Sequence, residues 1–163
     1  MIRLAEFEDL EAIDAIYNQA IENGFLTAHT EPLTRSEREA WFRRHNRERH
    51  PIFVYEEQNR VLGWVSLSPY RSGRQALREV AEISFYVDFD SHDSGIGSAL
   101  VDHCVQQASF LQQRIYIAII IEGNSASIIL MEKFGFERWG YLPEVIHYRD
   151  EKRGQVYMGK ILH

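Results

Sequence analysis

The amino-acid sequence predicts an α/β protein that consists of one mixed sheet with helices on both faces. Segments with strand-like and helix-like spacing of apolar residues follow one another in the order β-α-α-β-β-β-α-β-α-β-β, which gives about seven strands and four helices. An alternating run over residues 82–87 leads through a glycine turn into an apolar-periodic helix. A continuous β-branched run at residues 114–121 is typical of a strand that is covered on both faces.

The first elements are a short strand over residues 2–5 and an amphipathic helix. Apolar residues repeat at three- and four-residue spacing from Leu10 to Ile21, and Gly24 ends this helix. A loop is expected over residues 25–32.

A second helix is expected to begin at Thr34-Arg35-Ser36-Glu37, which has the spacing of a capping box. Pro51 is expected to end it, because proline cannot continue a helix. The strands predicted over residues 52–55 and 61–68 flank a turn at residues 58–60 and should form a hairpin.

A long strand over residues 80–87 places Glu82 on a polar face, opposite the apolar face that carries Ile83 and Phe85. The remaining predicted elements are a helix over residues 96–111, a strand over 114–121, a helix that Asn124 caps and that runs through Phe134 to Gly135, and strands over 136–148 and 155–162.

Composition excludes several classes of function. The 163 residues suit a single domain over residues 1–163, and 45% of them are hydrophobic. A net charge of −6 provides no basic field that would favour nucleic acid or a membrane surface. The longest apolar runs are too short to span a bilayer, and the N-terminus has no signal-peptide pattern.

The single cysteine, Cys104, excludes an intrachain disulfide and gives no metal cluster. It lies on the apolar side of its predicted helix, so we expect a small buried core residue. These features are consistent with a cytoplasmic protein that uses no metal.

The glycine turn Asp93-Ser94-Gly95-Ile96-Gly97-Ser98 is the strongest sign of a ligand. A strand, two glycines and the start of a helix together present free backbone N–H groups to a phosphate. The turn therefore predicts that the protein binds a phosphate-bearing cofactor.

Further motifs stand at fixed places around this turn. The loop reads His92-Asp93-Ser94-Gly95-Ile96-Gly97, and Asn124, Ser127, Leu130 and Gly135-Phe136 form a later helix signature. The others are Ile16-Tyr17-Asn18, Thr27, Thr30-Glu31-Pro32 and Trp41-Phe42. In this order and spacing the chain resembles, from Ile2 to Leu162, the GCN5-related N-acetyltransferase (GNAT) superfamily and, more narrowly, its phosphinothricin-acetyltransferase-like branch.

This resemblance implies the GNAT acyltransferase fold, an N-acetyltransferase that uses acetyl-CoA, a small amine as the acceptor, and a homodimer. It implies that the backbone of the glycine turn holds the pyrophosphate and that a strand backbone aligns the pantetheine arm. Asn124 would bind the pantetheine, and it is equally suited to capping a helix. The implied cofactor-binding residues are Phe85, Tyr86, Val87, His92, Asp93, Ser94, Gly95, Ile96, Gly97, Ser98, Asn124 and Ser127.

Amide formation needs a neutral amine, so some group must accept the proton of the incoming ammonium. Glu82 lies on the polar face of the strand next to the cofactor and matches the catalytic glutamate of the branch. The alternative is a strand-face carboxylate paired with an arginine such as Arg71 or Arg78.

The group that protonates the departing thiolate is missing from its usual place. Relatives carry Tyr or His immediately after the leucine of the last helix motif, where this chain has Met131. His147 or Tyr148 would be the substitute. Leu77 stands where the phosphinothricin enzymes often have an aromatic residue. Together with Met131, it favours the alternative of a non-catalytic CoA-binding sensor or interaction module.

The acceptor site is the part that the sequence describes least. Phe25, Thr30, Tyr70, Arg71 and Tyr148 stand where relatives border the acceptor. Arg71 is suited to holding a carboxylate or a phosphinate bidentately, or it is a solvated hairpin arginine. The departure at residue 77 argues against phosphinothricin itself and leaves a small amino-acid-like amine as the expected substrate.

Overall fold

The computed structural model describes residues 1–162 and contains the predicted elements in the predicted order. They are β1 (Ile2–Leu4), α1 (Leu10–Asn23), α2 (Arg35–Arg43), β2 (Ile52–Glu57), β3 (Arg60–Pro69), β4 (Val80–Val87), α3 (Ile96–Gln107), β5 (Ile115–Ile121), α4 (Ser125–Lys133), β6 (Glu137–Tyr148) and β7 (Glu151–Ile161). Within these 162 residues, no helix has the length and apolar character needed to cross a membrane.

The seven strands form one sheet in the order β1-β2-β3-β4-β5-β7-β6, in which only β4 and β5 are parallel neighbours. Their pairing covers Val80–Glu82 against Ile115–Ile117 and stops there. β5 remains paired with β7 along its whole length. The sheet therefore opens into a gap between β4 and β5 beyond Glu82.

Helices cover both faces of the sheet, as predicted. On one face, α3 and α4 bury Leu100 and Met131 against Ile83 of β4. On the other face, α1 and α2 pack around Trp64, and Tyr86 of β4 contacts this second cluster. The alternation along β4 therefore directs Ile83 and Tyr86 to opposite helical layers.

The helix caps and the helix-ending glycine that the sequence predicts are present in the structure. The Thr34 hydroxyl accepts the Glu37 N–H at 3.2 Å, and the Glu37 carboxylate accepts the Thr34 N–H at 2.7 Å, which completes the capping box of α2. Gly24 ends α1 with a φ of +81°. The Asn124 side chain accepts the Ser127 N–H at 3.3 Å and caps α4.

Three predicted boundaries are wrong. α2 ends at Arg43 instead of continuing to Pro51, because Asn46 and His50 exchange backbone hydrogen bonds in a tight turn. α3 ends at Gln107, although the apolar spacing continues to Leu111. Ala108 and Leu111 are still buried in the core, but they belong to the turns that follow the helix. β7 begins at Glu151, where it pairs with Tyr148 across a short hairpin.

Candidate active site

A cavity of about 380 Å³ occupies the gap between β4 and β5. β4, the turn that follows it, the start of α3, β5 and α4 all contribute to its walls. It is lined by every predicted cofactor-binding residue except Ser94: Phe85, Tyr86, Val87, His92, Asp93, Gly95, Ile96, Gly97, Ser98, Asn124 and Ser127. The fold thus gathers residues from separate parts of the sequence around one elongated space.

The glycine turn closes one end of this cavity. Gly95 is the N-cap of α3 with a left-handed φ of +83°, and a Cβ atom there would meet nothing within 4 Å. Backbone conformation, and not crowding, therefore accounts for the glycine. The first N–H groups of α3 have no partner within the helix, so the turn offers donors to an anion. The Ser94 hydroxyl instead donates to the Ser91 carbonyl and ties the loop together.

His92 holds the turn against the end of β4. Its Nε2 lies 3.0 Å from the Val87 carbonyl oxygen, and its ring packs on Phe89 at 4.7 Å. Because a carbonyl oxygen only accepts, Nε2 carries the hydrogen. In this arrangement Nδ1 of the neutral ring is an acceptor. It can donate to a phosphate only when both ring nitrogens are protonated.

Lys133 is a cation beside the glycine turn that sequence analysis did not identify. Its Nζ lies 3.3 Å from the Ser98 hydroxyl on the first turn of α3. The two residues are 35 positions apart, and no local pattern indicates that the end of α4 meets the start of α3. The site therefore has a positive charge next to its backbone donors.

Glu82 is the last residue of β4 that pairs with β5 before the gap opens. It is paired with Ser68 of β3 on one side and with Ile117 on the other. Burial raises the pKa of its carboxyl group. Within residues 1–162 it forms no ion pair, and the proposed alternative partner Arg78 lies beside Glu79 at 3.8 Å. A partly buried, unpaired carboxylate is suited to accepting a proton.

Tyr157 of β7 lies on the same side of the sheet as Glu82 and close to Tyr70 and Arg71. Burial raises the pKa of Tyr157, and so do the nearby Tyr70 and Glu82, whereas Arg71 lowers it. Tyr157 is therefore close enough to Tyr70, Glu82 and Arg71 to feel their charges. Tyr157 was not identified from the sequence, because only the insertion of β7 beside β5 brings it here. Arg71 is exposed and makes no ion pair within the described chain.

Phe25 and Tyr148 meet at a different place. Their ring centroids are 5.6 Å apart, and the Arg153 guanidinium lies 3.7 Å from the centre of the Phe25 ring. The loop after α1 is therefore packed on the β6–β7 hairpin. Neither ring lines the cavity, and Thr30 is exposed in the same loop.

The two suggested substitutes for a thiolate acid are not in the cavity wall. His147 is exposed near the tip of the β6–β7 hairpin, and Tyr148 packs on Phe25. Met131 has no exposed surface and belongs to the core beneath α4.

A polar cluster around Tyr17 anchors the loop after α1. The Tyr17 hydroxyl is hydrogen-bonded to the Thr27 hydroxyl and to Nδ1 of His29. Its ring contacts Tyr86 edge-on at 4.9 Å, and the guanidinium of the buried Arg38 lies 4.7 Å from its centre. Tyr17 and Thr27 were noted only as parts of sequence motifs, and the cluster gives them a role in positioning this loop.

Comparison with known proteins gives a consistent result. The family model described as an acetyltransferase (GNAT) domain matches residues 2–153. YwnH from Bacillus subtilis, named provisionally as a phosphinothricin acetyltransferase, is 40% identical over 99% of this chain and 96% of its own length. The L-methionine sulfoximine/L-methionine sulfone acetyltransferase of Pseudomonas aeruginosa is 34% identical over 88% of this chain and 84% of its own.

Among solved structures, a GNAT superfamily phosphinothricin acetyltransferase from Sinorhizobium meliloti, in complex with acetyl-CoA, superposes with a TM-score of 0.93. It is 28% identical, and the match covers 99% of this chain and 88% of that one.

Proposed function

Because this chain belongs to the GNAT acetyltransferase family, we propose that it acetylates the primary amine of a small amino-acid-like substrate by direct attack in a ternary complex. The chain is an acetyl-CoA-dependent N-acetyltransferase of the phosphinothricin-acetyltransferase type. The position of Glu82, mostly buried and unpaired where the gap begins, is the observation that carries the proposed chemistry.

The cavity residues are proposed to hold acetyl-CoA as follows. The N–H groups at the start of α3 bind the pyrophosphate, and Lys133 adds a positive charge beside them. The edge of β4 from Phe85 to Val87, which β5 leaves unpaired, aligns the pantetheine arm as an added strand would. Asn124 uses its side-chain oxygen to cap α4, so its amide N–H₂ remains available to the pantetheine.

Glu82 is proposed to accept the proton that the substrate ammonium must lose before its nitrogen can attack the thioester. Its raised pKa makes it a better match for an amine proton than an exposed carboxylate. A thiol has a pKa of about 8.5, so the thiolate leaves without a dedicated acid at Met131. Cys104 is fully buried and burial raises the pKa of its thiol, which argues against an acetylated-cysteine intermediate.

Arg71 is proposed to bind the carboxylate of the acceptor. Arg71 and Glu82 are both near enough to Tyr157 to shift its pKa, and no carboxylate of the described chain is paired with Arg71. An α-amino acid carries an ammonium and a carboxylate two bonds apart, which fits a neighbouring base and cation. The Pseudomonas aeruginosa relative is named as an acetyltransferase of two L-methionine derivatives, which are amino acids. It is therefore a precedent for this substrate class.

Thiol release from acetyl-CoA, measured across a panel of amino acids and the matching α-amides, tests this function. We expect acetylation of amino acids, with kcat/KM for the amides lower by about 10-fold or more because Arg71 loses its charged partner. The Arg71→Gln variant should reduce this preference, whereas Arg74→Gln, at an exposed arginine three residues later, should leave it unchanged. Tight binding of CoA with no amine-dependent thiol release would favour the non-catalytic alternative.

We also propose that residues 1–163 form a single domain that assembles as a homodimer in the cytoplasm, where acetyl-CoA is available. The support for the dimer is a set of large apolar side chains exposed on β6 and at the end of β7: Trp139, Tyr141, Leu142, Val145 and Ile161. Light scattering should give about twice the 19.1 kDa mass of the chain, and a monomer at all concentrations would refute the dimer.

A further inference from the structure

We propose that His45 fixes the hydrogen-bonding direction of Ser68, so that Ser68 and Glu82 together form a paired acceptor for the amine nitrogen of the substrate. This inference rests on the proposed function, because it concerns the same acceptor site. It assigns a positioning role to His45 and a binding role to Ser68, neither of which follows from a sequence motif.

The first step is the tautomer of His45. This residue follows α2, is mostly buried, and packs on Trp41 with ring centroids 4.7 Å apart. Its Nδ1 lies 2.8 Å from the Trp41 carbonyl oxygen. Because that oxygen can only accept, Nδ1 carries the hydrogen, and Nε2 of the neutral ring has a free lone pair.

The second step is the direction of the Ser68 hydroxyl. Nε2 of His45 lies 3.2 Å from the Ser68 oxygen, so the single hydroxyl hydrogen points to His45. The lone pairs of the Ser68 oxygen are then left to accept. Ser68 is the cross-strand partner of Glu82, and such partners have Cβ atoms about 4.5–5.5 Å apart on one face. The two side chains therefore present adjacent acceptors, which suits an amine with several N–H donors.

Protonation of His45 would reverse this arrangement. The imidazolium would donate from Nε2, and the Ser68 hydrogen would turn toward the Glu82 carboxylate, which would then be occupied and less basic. Burial lowers the pKa of His45 and keeps the ring neutral, against the opposing hydrogen bond to Trp41. The charged and titratable groups that face His45 are Arg44 beside it, His50 from the following turn, and Glu82 from β4 beyond Ser68.

The tautomer can be measured without turnover. In ¹⁵N NMR of the imidazole of His45, we expect the Nδ1–H form with an unprotonated Nε2 at neutral pH. An Nε2–H form would overturn the proposal, because Ser68 would then be free to donate to Glu82. This measurement stays decisive even if no amine is acetylated, an outcome that would instead contradict the proposed function.

Kinetics provide the second test. His45→Leu should lower kcat/KM for the amine about 10-fold, with Kd for acetyl-CoA unchanged. In the Ser68→Ala background the same change should cause no further loss, since it acts through Ser68. His45→Gln keeps a side-chain oxygen that can accept the Ser68 hydrogen, so this variant should retain most activity. Because glutamine does not titrate, the part of the activity loss at acid pH that comes from protonation of His45 should disappear. Losses that simply add in the double variant would show that His45 is merely structural and would overturn the proposal.

Discussion

At the scale of single residues, ionised Glu82 destabilises the fold at the pH at which it would act as the proposed base. Its carboxyl is mostly buried, no cation is paired with it within the described chain, and burial raises its pKa above the value in the unfolded chain. A carboxyl with a raised pKa contributes stability at low pH, and that contribution is lost as the pH rises through the folded-state pKa. The charge that is proposed to accept the amine proton is therefore buried at an energetic cost, as is common at active sites.

This cost predicts that Glu82→Gln stabilises the protein at neutral and alkaline pH. Thermal unfolding should give a higher Tm than the wild type at pH 8, and the difference should shrink as the pH is lowered and Glu82 becomes protonated. The control is Glu57→Gln at the exposed end of β2, which should have little effect at either pH. A lower Tm for Glu82→Gln at pH 8 would contradict the assignment of Glu82 as a buried and unpaired charge.

Asn124 caps α4 and is also proposed to bind acetyl-CoA, and two substitutions can separate these roles. Asn124→Asp keeps a good N-cap for α4 but loses the amide donor, so Kd for acetyl-CoA should rise about 10-fold with little change in stability. Asn124→Ala loses both, and the free energy of unfolding should also fall by about 1 kcal/mol. Isothermal titration and denaturant unfolding measure the two effects. Wild-type affinity in Asn124→Asp would restrict this residue to capping.

At the scale of elements, the β6–β7 pair depends on glycines that aromatic side chains cover. A Cβ atom on Gly159 would lie 2.0 Å from the Trp139 ring, whereas one on Gly140 would lie 3.8 Å from Tyr157. Both residues belong to the same strand pair, and the backbone of neither has a positive φ. Close approach of a ring, and not backbone conformation, therefore requires the glycine at position 159.

Gly159→Ala should displace Trp139 and lower the free energy of unfolding by about 1–3 kcal/mol, as overpacking does. Gly140→Ala is the matched control and should be tolerated better, since its new methyl group makes an ordinary contact. Tryptophan fluorescence and denaturant unfolding report the two changes. Equal effects of both substitutions would argue against close packing at Gly159.

Short-range signals in the sequence were enough to predict most elements, because their causes are local. The capping box at Thr34, the glycine after α1 and the Asn124 cap each satisfy backbone groups within a few residues. The end of α2 was not predictable in the same way, because it depends on the turn between Asn46 and His50. The insertion of β7 between β5 and β6 depends on long-range pairing, which no local spacing encodes.

At the scale of the whole molecule, one parallel strand pair in an otherwise antiparallel sheet organises the site. β4 and β5 separate after Glu82, and this separation produces the cavity and leaves a free strand edge beside it. The glycine turn follows β4 directly, so a single stretch of sequence supplies the proposed base, the strand edge and the turn proposed to bind the pyrophosphate.

This continuity explains which part of the candidate site could be predicted. Residues 82–98 form one motif along the chain and were identified together. Lys133, Tyr157 and the pair of His45 and Ser68 come from four separate elements or turns, and they meet only after the sheet has formed. Apart from Lys133, the cofactor side was therefore predictable from order and spacing, whereas the acceptor side required the tertiary structure.

The central claim is that Glu82 accepts the amine proton, and the most direct test is the turnover of Glu82→Gln at saturating acetyl-CoA and amine. We predict that kcat falls by about 10²–10⁴-fold and that Kd for acetyl-CoA remains at the wild-type value, because the side chain acts on the amine and not on the cofactor. A turnover equal to that of the wild type under these conditions would show that Glu82 is not the base.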